Sequence, residues 1–184
     1  MKYFFASDIH GDLGGARAMA NAYREEGADR LFLLGDLLYH GPRNPLPPAH
    51  DPKGVIELLN GMKDEITAVR GNCDAEVDQM VLSFPLMDDY AVLTLDKGKV
   101  YLTHGHLPES RLKGLSKGDV LVNGHTHIAG ATVTDSGHVC LNPGSTSLPK
   151  GDTPACYMVL DTETGVFSIR RLLDGSEFAS YSYN

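Results

Sequence analysis

Five short clusters of carboxylate, imidazole and carboxamide side chains stand out in the sequence, and each follows a run of apolar residues. The clusters are Asp8-Ile9-His10-Gly11-Asp12, Gly35-Asp36, Gly71-Asn72-Cys73-Asp74, His104-Gly105-His106 and Gly124-His125-Thr126-His127. They contain five of the eight histidines of the chain. Because ligands of open α/β sheets gather beyond the carboxyl ends of the strands, we expect these clusters to converge.

Seven of the side chains in these clusters are suitable metal ligands. They are Asp8, His10, Asp36, Asn72, His104, His125 and His127. Carboxylate, imidazole and carboxamide groups without an obligatory thiolate suit Mn, Fe, Co, Ni or Zn better than Ca or a structural zinc. Seven ligands are too many for one tetrahedral ion and about right for two ions that share a carboxylate. We therefore expect two divalent ions, with manganese as the first choice and Zn, Fe, Ni or Co as alternatives.

Each cluster also has an ordinary structural interpretation when it is taken alone. A single Asp-x-His is common in surface loops, a Gly-Asp pair is typical of turns, and His-x-His occurs in exposed strands. Asn72 follows a glycine, a pattern typical of a left-handed turn residue. The order of all five clusters, each after an apolar strand, favours a single shared site.

Composition narrows the class of protein. The chain has 184 residues and a formal net charge of −8, and it shows no Lys/Arg run that would indicate a strong nucleic-acid footprint. Its three cysteines have no CxxC spacing, which argues against a disulfide framework or a thiolate zinc site. No apolar stretch approaches the ~18 residues of a membrane span, and the apolar run at the N-terminus is too short for a signal peptide. We expect a cytoplasmic protein with no membrane association.

The elements that must position the clusters can be read from hydrophobic periodicity. It predicts helices at 13–26, 55–62 and 75–82, and strands at 2–6, 30–34, 66–69, 91–95, 99–103, 120–122, 131–134, 138–141, 157–160 and 166–170. Residues 35–52 include four prolines before Pro52 and predict a long loop, which in a compact domain is usually functional. Mixed α/β followed by hairpins predicts two packed sheets with helices outside them, in one domain that spans residues 1–184.

In their order, the clusters resemble the motifs of the calcineurin-like metallophosphoesterase superfamily. Residues 41–44 (Gly-Pro-Arg-Asn), 70–74 (Arg-Gly-Asn-Cys-Asp) and 142–145 (Asn-Pro-Gly-Ser) resemble the small bacterial YfcE-type phosphodiesterases in particular. The resemblance implies an α/β fold, a four-layer α/β/β/α sandwich of two mixed sheets with a dinuclear site at one edge. It further implies one ion held by Asp8, His10 and His127, a second held by Asn72, His104 and His125, and Asp36 as the bridge between them.

The resemblance also suggests roles around the metals. Most of the superfamily has a histidine at the position of Cys73, where it is thought to protonate or polarise the leaving group. A thiol is a weaker hydrogen-bond donor, so we expect a preference for activated, aryl-like esters, although Cys73 could also be a packing residue. Asp12 and Asp74 are expected to orient histidines or to position the substrate.

Three further residues are candidates for substrate binding. Arg43 lies in the long loop and Arg70 precedes Gly71, and either could hold a non-reacting phosphate oxygen. A surface salt bridge is the alternative for both arginines. His106 is expected to contact substrate, or else to be a surface residue.

The expected reaction is hydrolysis of small organic phosphodiesters. Two divalent ions can hold a bridging hydroxide and two phosphoryl oxygens, so that attack on phosphorus is in line. A phosphomonoesterase, nucleotidase or phosphoprotein phosphatase could use the same site. A scaffold like the retromer subunit that shares the fold is a third alternative, which the intact set of seven ligands disfavours. Exposed sheet edges would favour pairing into a homo-oligomer.

Overall fold

The fold is built from two mixed β-sheets, and the computed structural model describes residues 1–183. The strands are β1 (Lys2–Ala6), β2 (Arg30–Leu33), β3 (Ile66–Ala68), β4 (Tyr90–Leu95), β5 (Gly98–Thr103), β6 (Val120–Val122), β7 (Gly130–Val133), β8 (Val139–Asn142), β9 (Cys156–Asp161), β10 (Val166–Arg171) and β11 (Glu177–Ser182). One sheet has the order β11-β10-β9-β1-β2-β3 and the other β4-β5-β6-β8-β7. The predicted pair of mixed sheets is confirmed.

Strand β1 packs in two core clusters, one on each face of its sheet. Phe4 and Ala6 pack in the cluster beneath the helices, whereas Phe5 packs between the two sheets. Successive side chains of a strand point to opposite faces, so a strand that is apolar throughout suits a sheet covered on both sides. The same alternation holds for β2 and the residue after it: Leu31 and Leu33 pack beneath the helices, and Phe32 and Leu34 pack between the sheets.

Two helices, α1 (Leu13–Glu26) and α2 (Pro52–Asn60), cover the six-stranded sheet. The Asp12 carboxylate caps α1 by accepting from the Gly15 N–H at 3.3 Å, and Gly27 ends the helix with φ +60°. Asp51 caps α2, which starts at Pro52 rather than at residue 55 as the apolar pattern predicted. Proline is favoured in the first turn of a helix because its missing N–H is not needed there.

The outer face of the five-stranded sheet is covered differently. Tyr101, Leu121 and Cys140 form a small cluster there, against which Leu112 and Leu115 pack. The covering segment contains a one-turn 3-10 helix, Glu109–Arg111, which periodicity did not predict. The fourth layer of the sandwich is therefore mostly irregular chain.

Parallel pairing decides where the site lies. Strands β1, β2 and β3 run parallel in one sheet, and β5, β6 and β8 run parallel in the other. Their carboxyl ends therefore gather the loops that follow them. The short helix α3 (Glu76–Gln79) lies in one of these loops and is half as long as predicted. In residues 1–183, no helix has the length and apolarity that crossing a membrane requires.

Candidate metal centre

Each predicted ligand cluster follows the carboxyl end of a strand. Asp8 and His10 come after β1, Asp36 after β2, Asn72 after β3, His104 after β5, and His125 and His127 after β6. The two sheets contribute to one edge, so side chains far apart in sequence meet there. The clusters that the sequence predicted to converge do converge.

The backbone at these positions is unusual. Among residues 1–183, six non-glycine residues have φ in the left-handed region, between +53° and +68°. Five of them are predicted ligands, namely Asp8, His10, Asp36, His125 and His127. Left-handed backbone is unfavourable for L-residues and tends to occur at functional sites, where the rest of the fold enforces it. At these positions the left-handed conformation turns the backbone sharply just after a strand ends.

Asp8 and Asp36 are buried at the centre of a ring of imidazoles. Asp8 Oδ1 lies 3.3 Å from His127 Nε2, 3.6 Å from His10 Nε2 and 4.0 Å from His104 Nε2. Asp36 Oδ2 lies 3.4 Å from His104 Nε2 and 3.8 Å from His10 Nε2. Asp36 therefore contacts a histidine from each of the two predicted ligand sets.

Backbone carbonyls orient three of the rings. The Nδ1 atoms of His10, His104 and His127 lie 2.8, 2.7 and 2.6 Å from the carbonyl oxygens of Tyr39, Leu34 and Leu148. A carbonyl oxygen only accepts, so each Nδ1 carries a proton. In the neutral rings Nε2 then presents a lone pair to the centre, an arrangement typical of metal-binding histidines.

The donor atoms fit a cation between them. His10 Nε2 lies only 3.2 Å from His127 Nε2, and Asn72 Oδ1 lies 3.1 Å from His104 Nε2. When the rings are neutral, the facing lone pairs of each pair repel, whereas a cation between them attracts both. Asp8 Oδ1 is buried and has no hydrogen-bond partner. Because buried polar atoms are rarely left without a partner, these atoms fit divalent metal ions.

The charges of the centre support one another. Burial opposes ionisation of Asp8, but contacts with His10 and His127 hold its pKa well below the usual range. Burial also opposes protonation of His104, yet the contact with Asp36 and the charge of Asp8 raise its pKa to about 9. In the metal-free protein, imidazolium charge thus compensates the buried carboxylates, as bound cations would.

His125 and His106 lie at the rim. The centroid of the His125 ring is 5.1 Å from that of the His104 ring, and the backbone N–H of His125 donates to Asp8 Oδ2 at 3.0 Å. The His106 ring is 5.4 Å from the His104 ring, and its buried Nδ1 has no hydrogen-bond partner. Both rings therefore lie beside His104 but outside the groups of closely spaced donors, and His125, a predicted ligand of the second ion, is the one predicted histidine ligand that belongs to none of these groups.

The three predicted catalytic residues have different surroundings. The Asp74 carboxylate accepts from the N–H groups of Gly71, Asp36 and Leu37 at 2.7, 2.8 and 2.9 Å, which joins the loops after β2 and β3. The backbone N–H of Cys73 donates to Asp36 Oδ1 at 2.8 Å. The pKa of the Cys73 thiol is raised to about 12, mainly by burial and next by the charge of Asp36. Asp12 caps α1, so its position is accounted for by the fold, and a catalytic part for it stays a prediction.

Two serines support the centre without having been predicted. The hydroxyls of Ser145 and Ser147 donate to the carbonyl oxygen of Asp8 at 2.7 and 3.0 Å. Ser145 also accepts from the Leu148 N–H, next to the carbonyl that orients His127. The 142–145 motif was visible in the sequence, but nothing in it indicated that its serine holds the turn at Asp8.

Two cavities border the centre and meet at Asn72. One is a cleft of about 500 Å³ that Cys73, His125, Arg43 and Lys150 line. The other has a volume of about 310 Å³, and Arg70, His106 and Arg111 line it. Arg70 also lies 3.8 Å from Glu76, so it takes part in the surface ion pair that was its alternative role. Each of the three predicted substrate contacts therefore lines a cavity: Arg43 lines the larger one, and Arg70 and His106 line the smaller one.

Comparison with known proteins decides the family. The model of the calcineurin-like phosphoesterase superfamily domain matches residues 1–165. The chain belongs to this superfamily. The predicted fold family and the prediction of an enzyme, a metallophosphoesterase, are confirmed.

Among characterised relatives, the chain is 46% identical over 187 residues to phosphodiesterase YfcE of Escherichia coli, covering all of this chain and 99% of that one. The structure of the E. coli phosphoesterase superposes over the full length of both chains with a TM-score of 0.92 and 45% identity. Chaetomium thermophilum Vps29 shares the fold, with a TM-score of 0.62 over 99% of this chain, at 14% identity. That likeness concerns the fold alone.

Proposed function

We propose that the chain is a metal-dependent phosphodiesterase that hydrolyses small organic phosphodiesters at a dinuclear centre. Asp8, His10 and His127 would hold one ion, Asn72, His104 and His125 the other, and Asp36 would bridge them. The observation that carries the proposal is the 3.2 Å approach of His10 Nε2 to His127 Nε2 beside the unpartnered Asp8 Oδ1. When bound, two divalent ions would supply an activated water and neutralise charge on the phosphoryl oxygens, and manganese is the preferred candidate for these ions.

The chain's own residues would arrange the reaction. The carbonyls behind His10, His104 and His127 keep the metal-binding nitrogens aimed at the centre. Hydrolysis adds the oxygen of water to phosphorus, breaks one P–O bond, and leaves the departing alcohol in need of a proton. In the metal-free protein, burial and the charge of Asp36 raise the pKa of the Cys73 thiol to about 12. The thiol lines the cleft, so it is the proposed hydrogen-bond donor to the leaving oxygen.

Two features support a diester over a monoester. A phosphodiester has two organic arms, and two separate cavities meet at Asn72, whereas a monoester needs space for only one arm. The relative with 46% identity is a phosphodiesterase by name. The alternative of an interaction scaffold is disfavoured because all seven candidate ligands are retained.

The test is hydrolysis of bis(4-nitrophenyl) phosphate and 4-nitrophenyl phosphate with added Mn²⁺, with and without a chelator. We expect hydrolysis of the diester that the chelator abolishes and excess Mn²⁺ restores. Asp36→Asn should lower kcat by at least ~100-fold, because it removes the shared carboxylate charge. His138→Gln, away from the centre, is the matched control and should retain activity. Hydrolysis that resists the chelator would refute the metal mechanism, and faster hydrolysis of the monoester would favour a phosphomonoesterase.

A further inference from the structure

The cleft beside the metal centre is more cationic than the protein as a whole. It extends from Asn72 and Cys73 along the loop at residues 41–45, and both Arg43 and Lys150 line it. Within the described chain, Asp36 is the only acidic residue of this lining, and Asp36 faces the histidines of the centre. A chain with a net charge of −8 thus presents positive charge where one arm of a substrate would lie.

Lys150 is positioned by a neutral partner. Its Nζ donates to Asn44 Oδ1 at 3.1 Å, and Asn44 Nδ2 in turn donates to the His40 carbonyl at 2.9 Å. A carboxylate in place of the Asn44 amide would neutralise the ammonium group, but the amide orients it and leaves its charge free. The backbone N–H of Lys150 also donates to the carbonyl of His127 at 3.0 Å, so the backbone of Lys150 is joined to the turn that carries His127, a proposed metal ligand.

The rest of the cleft offers little to an aromatic arm. Near the cations its wall is formed by Gly41, Pro42 and Pro45, and the described lining includes no Phe, Tyr or Trp. Proteins that bind nucleobases usually stack them on aromatic rings. Recognition in this cleft therefore depends on charge, which Arg provides as a planar fork and Lys as a point charge.

We propose that Arg43 and Lys150 select phosphodiesters in which one alcohol carries a second anionic group, a phosphate or a carboxylate. The inference rests on the proposed function and extends it by naming the substrate class. It gives a role to Lys150, for which the sequence indicated none. The anionic arm is the one retained on phosphorus and lies in the cleft of about 500 Å³, with its charged end on the two cations. The leaving alcohol lies beside Cys73, where the cleft meets the second cavity at Asn72, and its arm extends into that second cavity.

The experiment compares four 4-nitrophenyl phosphodiesters that share the leaving group and differ only at the end of a short alkyl arm. The ends are methyl, carboxylate, phosphate and trimethylammonium, and kcat/KM is measured with saturating Mn²⁺ at constant ionic strength. We expect the two anionic ends to exceed methyl by roughly three- to tenfold, typical of partly exposed charge pairs, and trimethylammonium to be the poorest. The two anionic arms tell whether phosphate or carboxylate is preferred.

Variants separate charge recognition from a structural role. Lys150→Glu and Arg43→Glu should each lower the ratio of anionic to trimethylammonium substrates by at least ~10-fold. Asn44→Asp should lower it as well, because it pairs Lys150 without removing the cation, whereas Lys150→Arg should preserve it. Lys117→Glu makes the same change of net charge at an exposed position outside the cleft and should leave the ratio unchanged.

Equal kcat/KM for all four ends would overturn the inference. The inference would also be overturned if Lys150→Glu and Arg43→Glu, like the control Lys117→Glu, left the ratio of anionic to trimethylammonium substrates unchanged. If the methyl-ended diester is hydrolysed in a chelator-sensitive way under either result, the proposed phosphodiesterase function stands and only the substrate class is wrong. If none of the four diesters is hydrolysed with Mn²⁺, the proposed function fails and the substrate class fails with it.

Discussion

At the residue scale, the centre depends on which atoms of each side chain are already engaged. The carbonyls of Leu34 and Leu148 occupy Nδ1 of His104 and His127, so the reactive nitrogen of each ring is fixed before any ligand arrives. Asp36 is engaged on one side only, by the Cys73 N–H at Oδ1, and its Oδ2 stays available to the histidines. Orientation of this kind reduces the reorganisation that metal binding needs.

Cys73 sets a testable limit on the leaving group. Its thiol, with a pKa raised to about 12 by burial and by Asp36, is a weak donor compared with an imidazolium. Cys73→His should therefore raise kcat/KM for alkyl phosphodiesters by about 10-fold or more relative to aryl phosphodiesters, because alkoxides need protonation more. Cys73→Ala is the matched variant and should lower the same ratio. A ratio that neither substitution changes would make Cys73 a packing residue only.

The contact between His104 and Asp36 predicts how the stability of the metal-free protein depends on pH. The pKa of His104 is about 9 in the folded chain, because Asp36 and Asp8 outweigh burial, and about 6.5 in an unfolded chain. A pKa raised by folding stabilises the protein fully below about 6.5, and that stabilisation is lost as the pH rises through about 9. The free energy of unfolding of the chelated protein should therefore fall between pH 6.5 and pH 9.5.

Urea titrations of the chelated protein across this range provide the measurement. The Mn²⁺-loaded protein is the control and should show a smaller dependence, since bound cations hold the ring neutral. Stability of the chelated protein that is constant or rises over the same interval would contradict the assigned pairing.

At the element scale, Asp74 joins two loops that come from different strands. Three backbone N–H groups, from Gly71 after β3 and from Asp36 and Leu37 after β2, converge on one carboxylate. The loops also touch directly, since a Cβ on Gly71 would overlap Asp36 Oδ1. Asp74 thus holds in place the loop that carries Asp36, the proposed bridging carboxylate.

Asp74→Asn should disturb both loops, because an amide offers only one acceptor oxygen to three donors. We expect a loss of about 2–4 kcal/mol of unfolding free energy, together with a higher Mn²⁺ concentration for half-maximal activity. Asp96→Asn, in the exposed turn between β4 and β5, makes the same chemical change and should alter neither quantity. Equal behaviour of the two variants would show that Asp74 does not position Asp36.

The elements that the sequence predicted well are those with strong local signals. Helix α1 runs over the predicted 13–26 because its apolar spacing lies between an Asp cap and a Gly end. Strand β11 was not predicted because its sequence, Glu-Phe-Ala-Ser-Tyr-Ser, mixes apolar and polar residues without a regular alternation. It lies at the sheet edge, where it pairs with β10 only. Tertiary pairing of that kind leaves no periodic trace.

The candidate site was more predictable than the loops around it. The seven candidate ligands could be found because each follows a buried strand, and parallel strands end at one edge. The support from Ser145, and the Lys150–Asn44 pair in the cleft, depend on contacts between distant loops and could not be read from spacing.

At the scale of the whole molecule, the site lies where two sheets meet, so metal binding should stabilise the entire fold. β1, β2 and β3 belong to one sheet and β5 and β6 to the other, and every candidate ligand follows one of these strands. Ions that bind only the folded chain raise its stability by mass action. We expect Mn²⁺ to raise Tm in a concentration-dependent way, measured by differential scanning fluorimetry. A Tm that Mn²⁺ leaves unchanged, or an equal shift in Asp36→Asn, would contradict this coupling.

The most direct test of the central claim is the number of ions bound by each chain. Chelated protein is dialysed to equilibrium against Mn²⁺, and the metal is counted by elemental analysis together with the protein concentration. We predict two ions per chain at saturation, and fewer when Asp36 is replaced by Asn. A wild-type stoichiometry of one or none, or two ions retained in a chain that lacks both His10 and His104, would contradict the account.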